Sequence, residues 1–396
     1  MTADFNYYTP TRVVFGKDAE SQAGVLIKQQ ECKKVLVHYG SESAKRSGLL
    51  DRVTESLKAE GINYVLLGGV VPNPRLSKVH EGIALCQQEG VDFILAVGGG
   101  SVIDSAKAIG YGLFNGGEVW DFYSQKRQVK GCYPIGAILT IAAAGSEMSD
   151  SSVITNEEGN LKRGVNHESS RCKFAIMNPE LTYTLPHYQT MSGAVDIMMH
   201  TMERYFIQGS TMYLTDELAQ SLLRTIVHYA PVLKTNPRDY DGRANLMWAS
   251  SLSHNGLMGM GNSARGDWAP HQLEHEMGGM FDVAHGAGLA AVWGSWASFV
   301  YKERPDRFAQ LGSEVFGLER SDDEDLDALR AIDAMKAFFH SIDMPTNFAE
   351  LGIHPSEAQV EEMSEKATFF GKRTLGSIKV LGKEEIKAIY HLANNN

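Results

Sequence analysis

Two pairs of side chains at a four-residue spacing, followed by one further histidine, carry chemistry that suits a metal ion. Asp196 and His200 form the first pair, in GAVDIMMHTMERYF, and His271 and His275 form the second, in APHQLEHE. A helix places residues i and i+4 on one face, so each pair offers two donors from one rigid element. His285 comes later and precedes a glycine, which indicates a tight helix entry. Oxygen and nitrogen donors of this kind suit Fe²⁺ or Zn²⁺, with a position left open for substrate.

The metal interpretation competes with simpler ones at each position. The chain has 13 histidines, and a histidine taken alone is more often a surface or core residue than a ligand. Asp196 and His200 alone could equally form a hydrogen bond along a helix face. Met198, Met199 and Met202 around them indicate core packing rather than sulfur ligation. In such apolar surroundings a buried carboxylate needs a partner, and a cation provides one.

A glycine-rich turn is the second feature with chemical potential. The sequence GGGSVIDSAK begins at Gly98, directly after the apolar run FILAV. Glycines let the backbone approach a ligand closely, and a new helix presents unpaired N–H groups at the positive end of its dipole. Ser101 is expected to cap this helix and to donate to a phosphate oxygen. The turn therefore predicts a pyrophosphate site. A ligand-free turn has similar sequences, and the motif is neither G-x-G-x-x-G nor a Walker loop.

The end of the first apolar strand bears on the choice of nucleotide. In a doubly wound sheet, the residue after such a strand often meets the adenosine ribose, where an acidic side chain favours NAD(H). Here the strand is followed by Gly40, Ser41 and Ser43, with the cations of residues 45–46 close behind. Hydroxyl groups and cations suit a 2′-phosphate, so we predict NADP(H) with these three residues at the ribose. Glu42 leaves NAD(H) open, because its carboxylate could serve the ribose itself.

Short β-branched runs alternate with amphipathic stretches in the first half of the chain. The pattern predicts strands at 34–39, 63–67 and 93–97 and helices at 48–60 and 77–89. Strands that are apolar throughout are typical of a parallel sheet covered on both faces. The first half therefore predicts a doubly wound α/β domain.

After Leu185 the pattern changes, because apolar residues recur at helical spacing and strand-like runs become scarce. The predicted helices lie at 188–208, 213–232, 242–258, 285–301 and 326–340. We therefore predict an α/β dinucleotide-binding domain over residues 1–185 and an all-helical metal and substrate domain over residues 186–396. A ligand is expected in the cleft between them.

Composition and charge limit the partners and the cellular compartment. The 396 residues are 43% hydrophobic and 21% charged, the balance of a soluble globular protein. The formal net charge of −11 disfavours nucleic acid and anionic membrane surfaces as partners. Cys32, Cys86, Cys132 and Cys172 form no CxxC pair, and the amino terminus has no signal-peptide pattern. We therefore predict a cytoplasmic protein, and we expect a homodimer.

Taken in order, these motifs resemble those of the iron-containing (group III) alcohol dehydrogenases, and most of all the NADPH-dependent butanol dehydrogenase and aldehyde reductase branch. The similarity runs along essentially the whole chain, through FNYYTPTRVVFG, VPNP, GGGSVIDSAKAIG, GSEM, GAVDIMMHTME, HQLEHEMGG and AHGAGLA. It implies an α/β dinucleotide-binding domain followed by an all-α metal-binding domain of the dehydroquinate-synthase-like type. It also implies an NAD(P)-dependent enzyme that interconverts small aliphatic alcohols and aldehydes by metal-assisted hydride transfer.

The resemblance also assigns roles residue by residue. Carried onto this sequence, the family's metal ligands fall on Asp196, His200, His271 and His285. His275, one turn beyond His271, matches a histidine that lines the substrate site, and we expect protons to pass through it or through water. Gly40 stands where NAD-using relatives carry an aspartate. The other cofactor residues fall on Asn73, Gly99, Gly100, Ser101, Asp104, Thr140, Ser149 and Lys162.

The sequence departs from the family pattern in one segment. Many relatives carry threonines at two positions where this chain has Ile141 and Ala144, so two donors near the phosphates are missing. Two other functions fit the same architecture: a cofactor-assisted lyase resembling dehydroquinate synthase, and a non-redox metal-binding protein. The lyase needs many basic side chains for its substrate, whereas Met, Trp, Ala and Gly surround the proposed ligands. The ligand positions together with the glycine turn disfavour the non-redox protein.

Overall fold

Two compact units make up the chain. The computed structural model describes residues 2–40 and 42–395. One unit spans Tyr8–Leu185, and the other contains the chain from Pro186 onward together with the amino-terminal segment that ends at Tyr7. That segment is tied to the second unit by a hydrogen bond from the Ala3 amide to the Gly261 carbonyl, with an N–O distance of 2.9 Å.

Strands and helices alternate along the first unit. Its strands are β1 (Arg12–Phe15), β2 (Lys34–Tyr39), β3 (Asn63–Leu67), β4 (Phe93–Gly98), β5 (Ile135–Leu139), β6 (Ser151–Asn156), β7 (Leu161–Asn166) and β8 (Phe174–Met177). Its α-helices are α1 (Ala23–Lys28), α2 (Ser43–Arg46), α3 (Leu49–Ala59), α4 (Leu76–Glu89), α5 (Gly100–Asn115) and α6 (Trp120–Tyr123). All the strands and helices predicted for this half are present, and each of their ends lies within about one residue of the predicted position.

A parallel six-stranded sheet in the order β1-β8-β5-β4-β2-β3 forms the centre of this unit, and β6 and β7 form a separate antiparallel hairpin. Val35, Val37 and Leu95 pack with residues of α1 and α3 on one face of the sheet. Strand alternation sends Leu36 and Ile94 to the other face, where α5 contacts β4. Since both faces are covered, β4 is buried at every residue, which explains its uninterrupted apolar sequence.

Helices dominate the second unit. They are α7 (His187–Tyr205), α8 (Tyr213–Thr235), α9 (Tyr240–His254), α10 (Ala269–Phe281), α11 (His285–Val300), α12 (Pro305–Phe316), α13 (Glu324–Ser341), α14 (Phe348–Leu351), α15 (Glu357–Ala367) and α16 (Lys383–Asn395). α7 is buried at every residue from Thr190 to Tyr205 and packs against α8, α9, α10 and α11. α9 ends four residues earlier than predicted, because Gly256 turns the chain with a φ of 99°.

A parallel-sheet unit and a helical unit are the fold class that the sequence predicts, so that prediction is confirmed. Met198, Met199 and Met202 on α7 are buried core residues, as expected. Within the described residues, no helix combines the length and the apolar character that a membrane crossing requires.

The cysteines are free thiols that burial keeps protonated. Burial raises the pKa of Cys86 and that of Cys172 to about 12. It also raises the pKa of Cys32 and that of Cys132 above the ordinary value. The thiolate is the reactive form of cysteine, so these side chains carry little nucleophilic character at neutral pH.

Candidate metal centre and cofactor loops

The metal centre is built on α7, the most deeply buried helix of its unit. Asp196 and His200 lie one turn apart on this helix, and both are buried. α10 supplies His271, which is also buried, and the first residue of α11 supplies His285. The structure therefore brings the four predicted ligands to one place from three helices.

Oδ1 of Asp196 is the point on which the histidines converge. It lies 3.1 Å from Nδ1 of His200, 3.7 Å from Nε2 of His271 and 3.6 Å from Nε2 of His285. Asp196, His200 and His271 each offer a ligand atom within 4.8 Å of the other two. One ion can therefore lie within reach of Asp196, His200 and His271, and Nε2 of His285 faces the same carboxylate oxygen from 3.6 Å.

Two buried glutamates, which sequence reasoning missed, hold the histidines in place. Glu203 accepts hydrogen bonds from Nδ1 of His271 at 2.9 Å and from its backbone amide at 3.0 Å. Glu274 accepts a short hydrogen bond from Nδ1 of His285. In both histidines this leaves Nε2 directed at Asp196, the arrangement in which a carboxylate fixes the tautomer of a metal-binding imidazole. Each glutamate stands three residues after a predicted ligand, and that spacing was the available signal.

The electrostatics of the group favour an ionised carboxylate. Burial alone raises the pKa of Asp196, but the charges of His200 and His285 outweigh it and lower that pKa well below the usual value. Burial lowers the pKa of His200 to about 4. Burial also lowers the pKa of His271, but contacts with Asp196 and Glu203 outweigh it and raise that pKa to about 9. The surroundings of Asp196 thus stabilise positive charge, which a bound cation would supply.

The residues present fit a divalent ion. Oδ1 of Asp196 and Nε2 of His271 are buried and make no well-aligned hydrogen bond to any residue in the described part of the chain. Buried polar atoms are nearly always hydrogen-bonded, because an unpaired one raises the free energy of the folded state. Carboxylate oxygen and imidazole nitrogen are donors that both Fe²⁺ and Zn²⁺ accept. A bound ion would satisfy both atoms.

Two further histidines lie beside the centre. His275 is buried one turn beyond His271 on α10, and its ring centroid is 6.0 Å from that of His285. His254, at the end of α9, has its ring centroid 4.0 Å from that of His200. Sequence reasoning missed His254, because it belongs to a separate helix and stands in no spacing pattern with the predicted ligands.

Gly286 allows α11 to begin against α7. A Cβ atom at this position would lie 1.9 Å from the backbone carbonyl oxygen of Ser192, far inside van der Waals contact. Ser192 is one turn before Asp196 on α7, so the close approach at Gly286 sets His285 beside Asp196. The glycine after His285 therefore allows the close packing of α11 on α7 that brings His285 to the candidate metal centre.

The predicted cofactor residues of the first unit lie mostly along one edge of the sheet. Gly40, Gly99 and Thr140 follow the carboxyl ends of β2, β4 and β5, which are parallel neighbours. The Thr140 amide donates to the Gly98 carbonyl with an N–O distance of 3.1 Å. A Cβ atom on Gly40 would be 3.7 Å from Cγ2 of Val102, in the first turn of α5. Ligands bind at this edge in doubly wound sheets.

The segment after β5 lies directly on the glycine turn. A Cβ atom on Gly99 would come within 2.1 Å of Cγ2 of Ile141, and one on Gly100 within 3.1 Å of Cβ of Ala144. α5 begins at Gly100, and Gly99 is its N-cap without any side-chain cap. The prediction that Ser101 caps the helix is therefore wrong, because Ser101 is already its second residue. Ile141 and Ala144 give the turn an apolar cover.

The remaining predicted cofactor residues are spread over several elements. Asn73 is buried in the loop after β3 with a left-handed φ of 52°, and Ser43 is exposed in α2. Lys162 is buried in β7, paired across the hairpin with Thr155. Ser41 lies outside the described residues. Their roles in nucleotide binding stay predictions.

Asp104 and Ser149 face protein groups around α5. The carboxylate of Asp104 accepts a short hydrogen bond from the Ser146 hydroxyl and one of 3.0 Å from the Val153 amide. Ser149 is buried, and its hydroxyl lies 3.3 Å from Nζ of Lys107. Both residues therefore border the loop that follows β5, and their contact with a cofactor also stays a prediction.

Family models match both units of the chain. Residues 10–179 match the model described as iron-containing alcohol dehydrogenase, and residues 190–394 match the carboxy-terminal model of the Fe-containing alcohol dehydrogenase family. The two matches together cover most of the described sequence.

Curated and solved relatives agree with these models. The chain is 38% identical over 387 residues to NADH-dependent butanol dehydrogenase A of Clostridium acetobutylicum, and the match covers 98% of each chain. It is 33% identical to the NADPH-dependent aldehyde reductase YqhD of Escherichia coli, covering 98% of this chain and 99% of that one. The crystal structure of NADH-dependent butanol dehydrogenase A from Thermotoga maritima superposes with a TM-score of 0.95 at 38% identity, covering 99% of both chains.

The fold, the donor set and these matches define a metal-dependent oxidoreductase that interconverts alcohols and aldehydes with NAD(H) or NADP(H). Within that class, the chain belongs to the iron-containing alcohol dehydrogenase family. The family and the type of reaction predicted from the sequence are confirmed, and the matches give no support to the lyase alternative.

Replacing Gly286 by alanine tests the close approach that positions His285. The added Cβ cannot avoid the Ser192 carbonyl, so α11 must shift. We expect a loss of about 1–3 kcal/mol in the free energy of unfolding and a lower metal content after purification. Gly294→Ala on the same helix is the control, because its Cβ would meet only the flexible side chain of Lys336. Thermal denaturation and elemental analysis measure both effects, and full metal content in Gly286→Ala would contradict the role assigned to this contact.

Proposed function

We propose that the enzyme reduces small aliphatic aldehydes with NADP(H), using Fe²⁺ or Zn²⁺ held by Asp196, His200, His271 and His285. The observation that carries the metal assignment is the convergence of three histidine side chains on the buried Oδ1 of Asp196. When bound, the ion supplies Lewis-acid polarisation of the aldehyde carbonyl and the nicotinamide supplies the hydride.

The side chains around the centre have separate tasks in this proposal. Glu203 and Glu274 hold the imidazoles of His271 and His285 through their Nδ1 atoms, so that both Nε2 atoms stay available for the ion. His275 would exchange the proton of the alcohol with solvent, since an imidazole can carry a proton near neutral pH. Its position beside the proposed ligands, with its ring centroid 6.0 Å from that of His285, supports that assignment.

Two observations support the proposed class of substrate. The relatives are named as butanol dehydrogenases and as an aldehyde reductase. The helical unit around the proposed ligands is rich in buried apolar side chains, which suits an aliphatic substrate. Purification under anaerobic conditions, followed by metal analysis and by NADPH and NADH turnover on a panel of aldehydes, tests the whole proposal. Failure to reduce any aldehyde with either nucleotide would contradict it.

The preference for NADP(H) rests on the loop after β2. Gly40 carries no carboxylate, and Ser43 and Arg46 lie exposed close behind it. Lys45 is paired with Glu42 at 3.0 Å, which removes part of the negative charge at this loop. The names of the relatives include both NADH-dependent and NADPH-dependent enzymes, so the proposal depends on the residues of this chain.

A cytoplasmic location and a homodimer complete the proposal. The free thiols support a reducing compartment, where disulfides are rare. The homodimer stays a prediction from the sequence.

Removing one ligand should remove the metal. We expect His271→Ala and His285→Ala to lose bound metal and turnover while the fold stays mostly intact, because a site with an open position has no ligand to spare. Elemental analysis, circular dichroism and NADPH-dependent turnover measure these properties. His228→Ala, which changes an exposed histidine on α8, is the matched control. A ligand variant with stoichiometric metal and the wild-type rate would show that the residue is no ligand.

His275→Ala should separate proton transfer from metal binding. We expect it to keep its metal, and to lower kcat by about 10²–10⁴-fold or to change the pH profile, because general acid–base groups contribute rate factors of that size. The pH dependence of kcat and the metal content are measured on the same preparation. Loss of the metal would show that His275 is itself a ligand.

Gly40→Asp should shift the cofactor preference toward NADH. A side chain fits here, since a Cβ would be 3.5 Å from the Val70 carbonyl oxygen, an ordinary contact. A carboxylate close to a 2′-phosphate weakens recognition by an energy on the order of several kcal/mol, whereas it can accept a hydrogen bond from a free 2′-hydroxyl. Gly40→Ala controls for the added Cβ. Ratios of kcat/KM for NADPH and NADH are compared with one aldehyde, and a wild type that favours NADH would overturn the assignment and favour Glu42 as the ribose ligand.

A further inference from the structure

Lys107 on α5 is a fully buried cation that the reaction described above does not use. Its Nζ donates to three backbone carbonyl oxygens, those of Ser146 at 2.7 Å, Ser149 at 2.9 Å and Ser151 at 2.7 Å. The hydroxyls of Ser146 and Ser149 lie 3.3 Å away. An ammonium group has three N–H donors, so these carbonyls replace its lost hydration.

Asp104, one turn earlier on the same helix, holds the same segment. Besides the bonds from Ser146 and Val153 to its carboxylate, its backbone carbonyl accepts from the Ser152 hydroxyl at 2.9 Å. Residues i and i+3 share a helix face, so Asp104 and Lys107 form one binding surface for residues 146–153. The ammonium group of Lys107 therefore binds carbonyl oxygens of this segment, and the carboxylate of Asp104 binds its N–H and O–H groups.

This helix face is linked to the glycine turn at the start of α5. The loop that leads into this segment begins at Thr140, whose amide donates to the Gly98 carbonyl. It passes over the glycine turn, where Ile141 meets Gly99 and Ala144 meets Gly100. Its far end is the part that Lys107 holds. One helix therefore presents the turn at its amino end and fixes the loop that lies on the turn.

We propose that Lys107 is a positioning residue for nucleotide binding, which fixes residues 146–151 so that the loop after β5 and the glycine turn form one preorganised phosphate site. The inference rests on the proposed cofactor role of this sheet edge. Lys107 acts through the backbone of the segment and does not touch the dinucleotide. Without Lys107 the three carbonyls lose their donor and the loop can move away from the turn. The affinity for the dinucleotide therefore falls.

Lys107→Ala, purified and assayed with and without ammonium chloride, tests this role. The expected result without ammonium is a Kd for NADPH, measured by fluorescence titration, at least about tenfold above the wild-type value, since lost preorganisation weakens binding. Metal content and kcat at saturating NADPH should stay near wild type, so KM changes and kcat does not. Ammonium ions fit among the vacated carbonyls and should restore the Kd, whereas bulky tetramethylammonium, which has no N–H donor, should not.

Ile109→Ala is the matched control, because it truncates a buried side chain of α5 that faces Gly82 of α4. It should lower Tm and leave the Kd for NADPH unchanged. A folded Lys107→Ala protein with the wild-type Kd, or a Kd that rises equally in both variants, would overturn the positioning role. A wild-type protein that binds neither NADPH nor NADH would instead overturn the proposed function itself.

The wild-type protein provides a test that requires no variant. Hydrogen–deuterium exchange of the peptide covering residues 146–150, which precedes β6 and its pairing with β7, is compared without nucleotide and with NADPH. A segment fixed by Lys107 and Asp104 should already exchange slowly in the free protein. Fast exchange that becomes slow only after NADPH is added would overturn the inference, even where Lys107→Ala does not fold.

Discussion

A buried, ionised carboxylate at Asp196 is the constraint around which the helical unit is arranged. The carboxyl groups of Glu203 and Glu274 are buried in the same region, so acidic side chains are concentrated where little water reaches them. Such charge is costly unless it is paired and hydrogen-bonded. The histidines meet part of this demand, and a divalent cation would complete it. The buried carboxyl groups therefore favour a bound cation as much as the positions of the ligand atoms do.

The first unit solves the opposite problem, because it must present positive character to an anionic ligand in a chain of net charge −11. In the proposed function it would use backbone N–H groups and the start of α5 rather than a cluster of exposed basic side chains. That solution needs tight control of the backbone, since a misplaced N–H group contributes little. Ile141, Ala144 and the contacts of Lys107 would supply this control from the loop that covers the turn.

Spacing in the sequence singled out five candidate ligands, the resemblance to the family reduced them to four, and neither predicted the glutamates that hold the histidines. The four-residue spacing of Asp196 with His200 follows from helical geometry and needs no knowledge of packing. Which histidine Glu203 holds depends on how α10 lies against α7, and no local pattern carries that information. His254 was missed for the same reason.

In the α/β unit, too, the sequence predicts some elements and misses others. Strands buried on both faces, such as β4, have apolar sequences that reveal them directly. The hairpin of β6 and β7, which carries Lys162, has a mixed pattern and was not predicted. The cap assigned to Ser101 was wrong, because the N-cap falls on Gly99 and a difference of two residues decides whether a side chain can reach the first amides. The partners of Lys107 are carbonyl groups, which every residue possesses and no sequence pattern marks.

The burial of the thiols and of Lys107 has a further consequence for an enzyme that handles aldehydes. Aldehydes add to thiolates and condense with neutral amines, so a protein that works on them risks covalent damage by its own substrate. All four cysteines have pKa values raised by burial, which keeps them as thiols. The amine of Lys107 has carbonyl partners for its N–H groups and no access to solvent. The same packing that shapes the fold thus makes these side chains chemically inert toward the substrate.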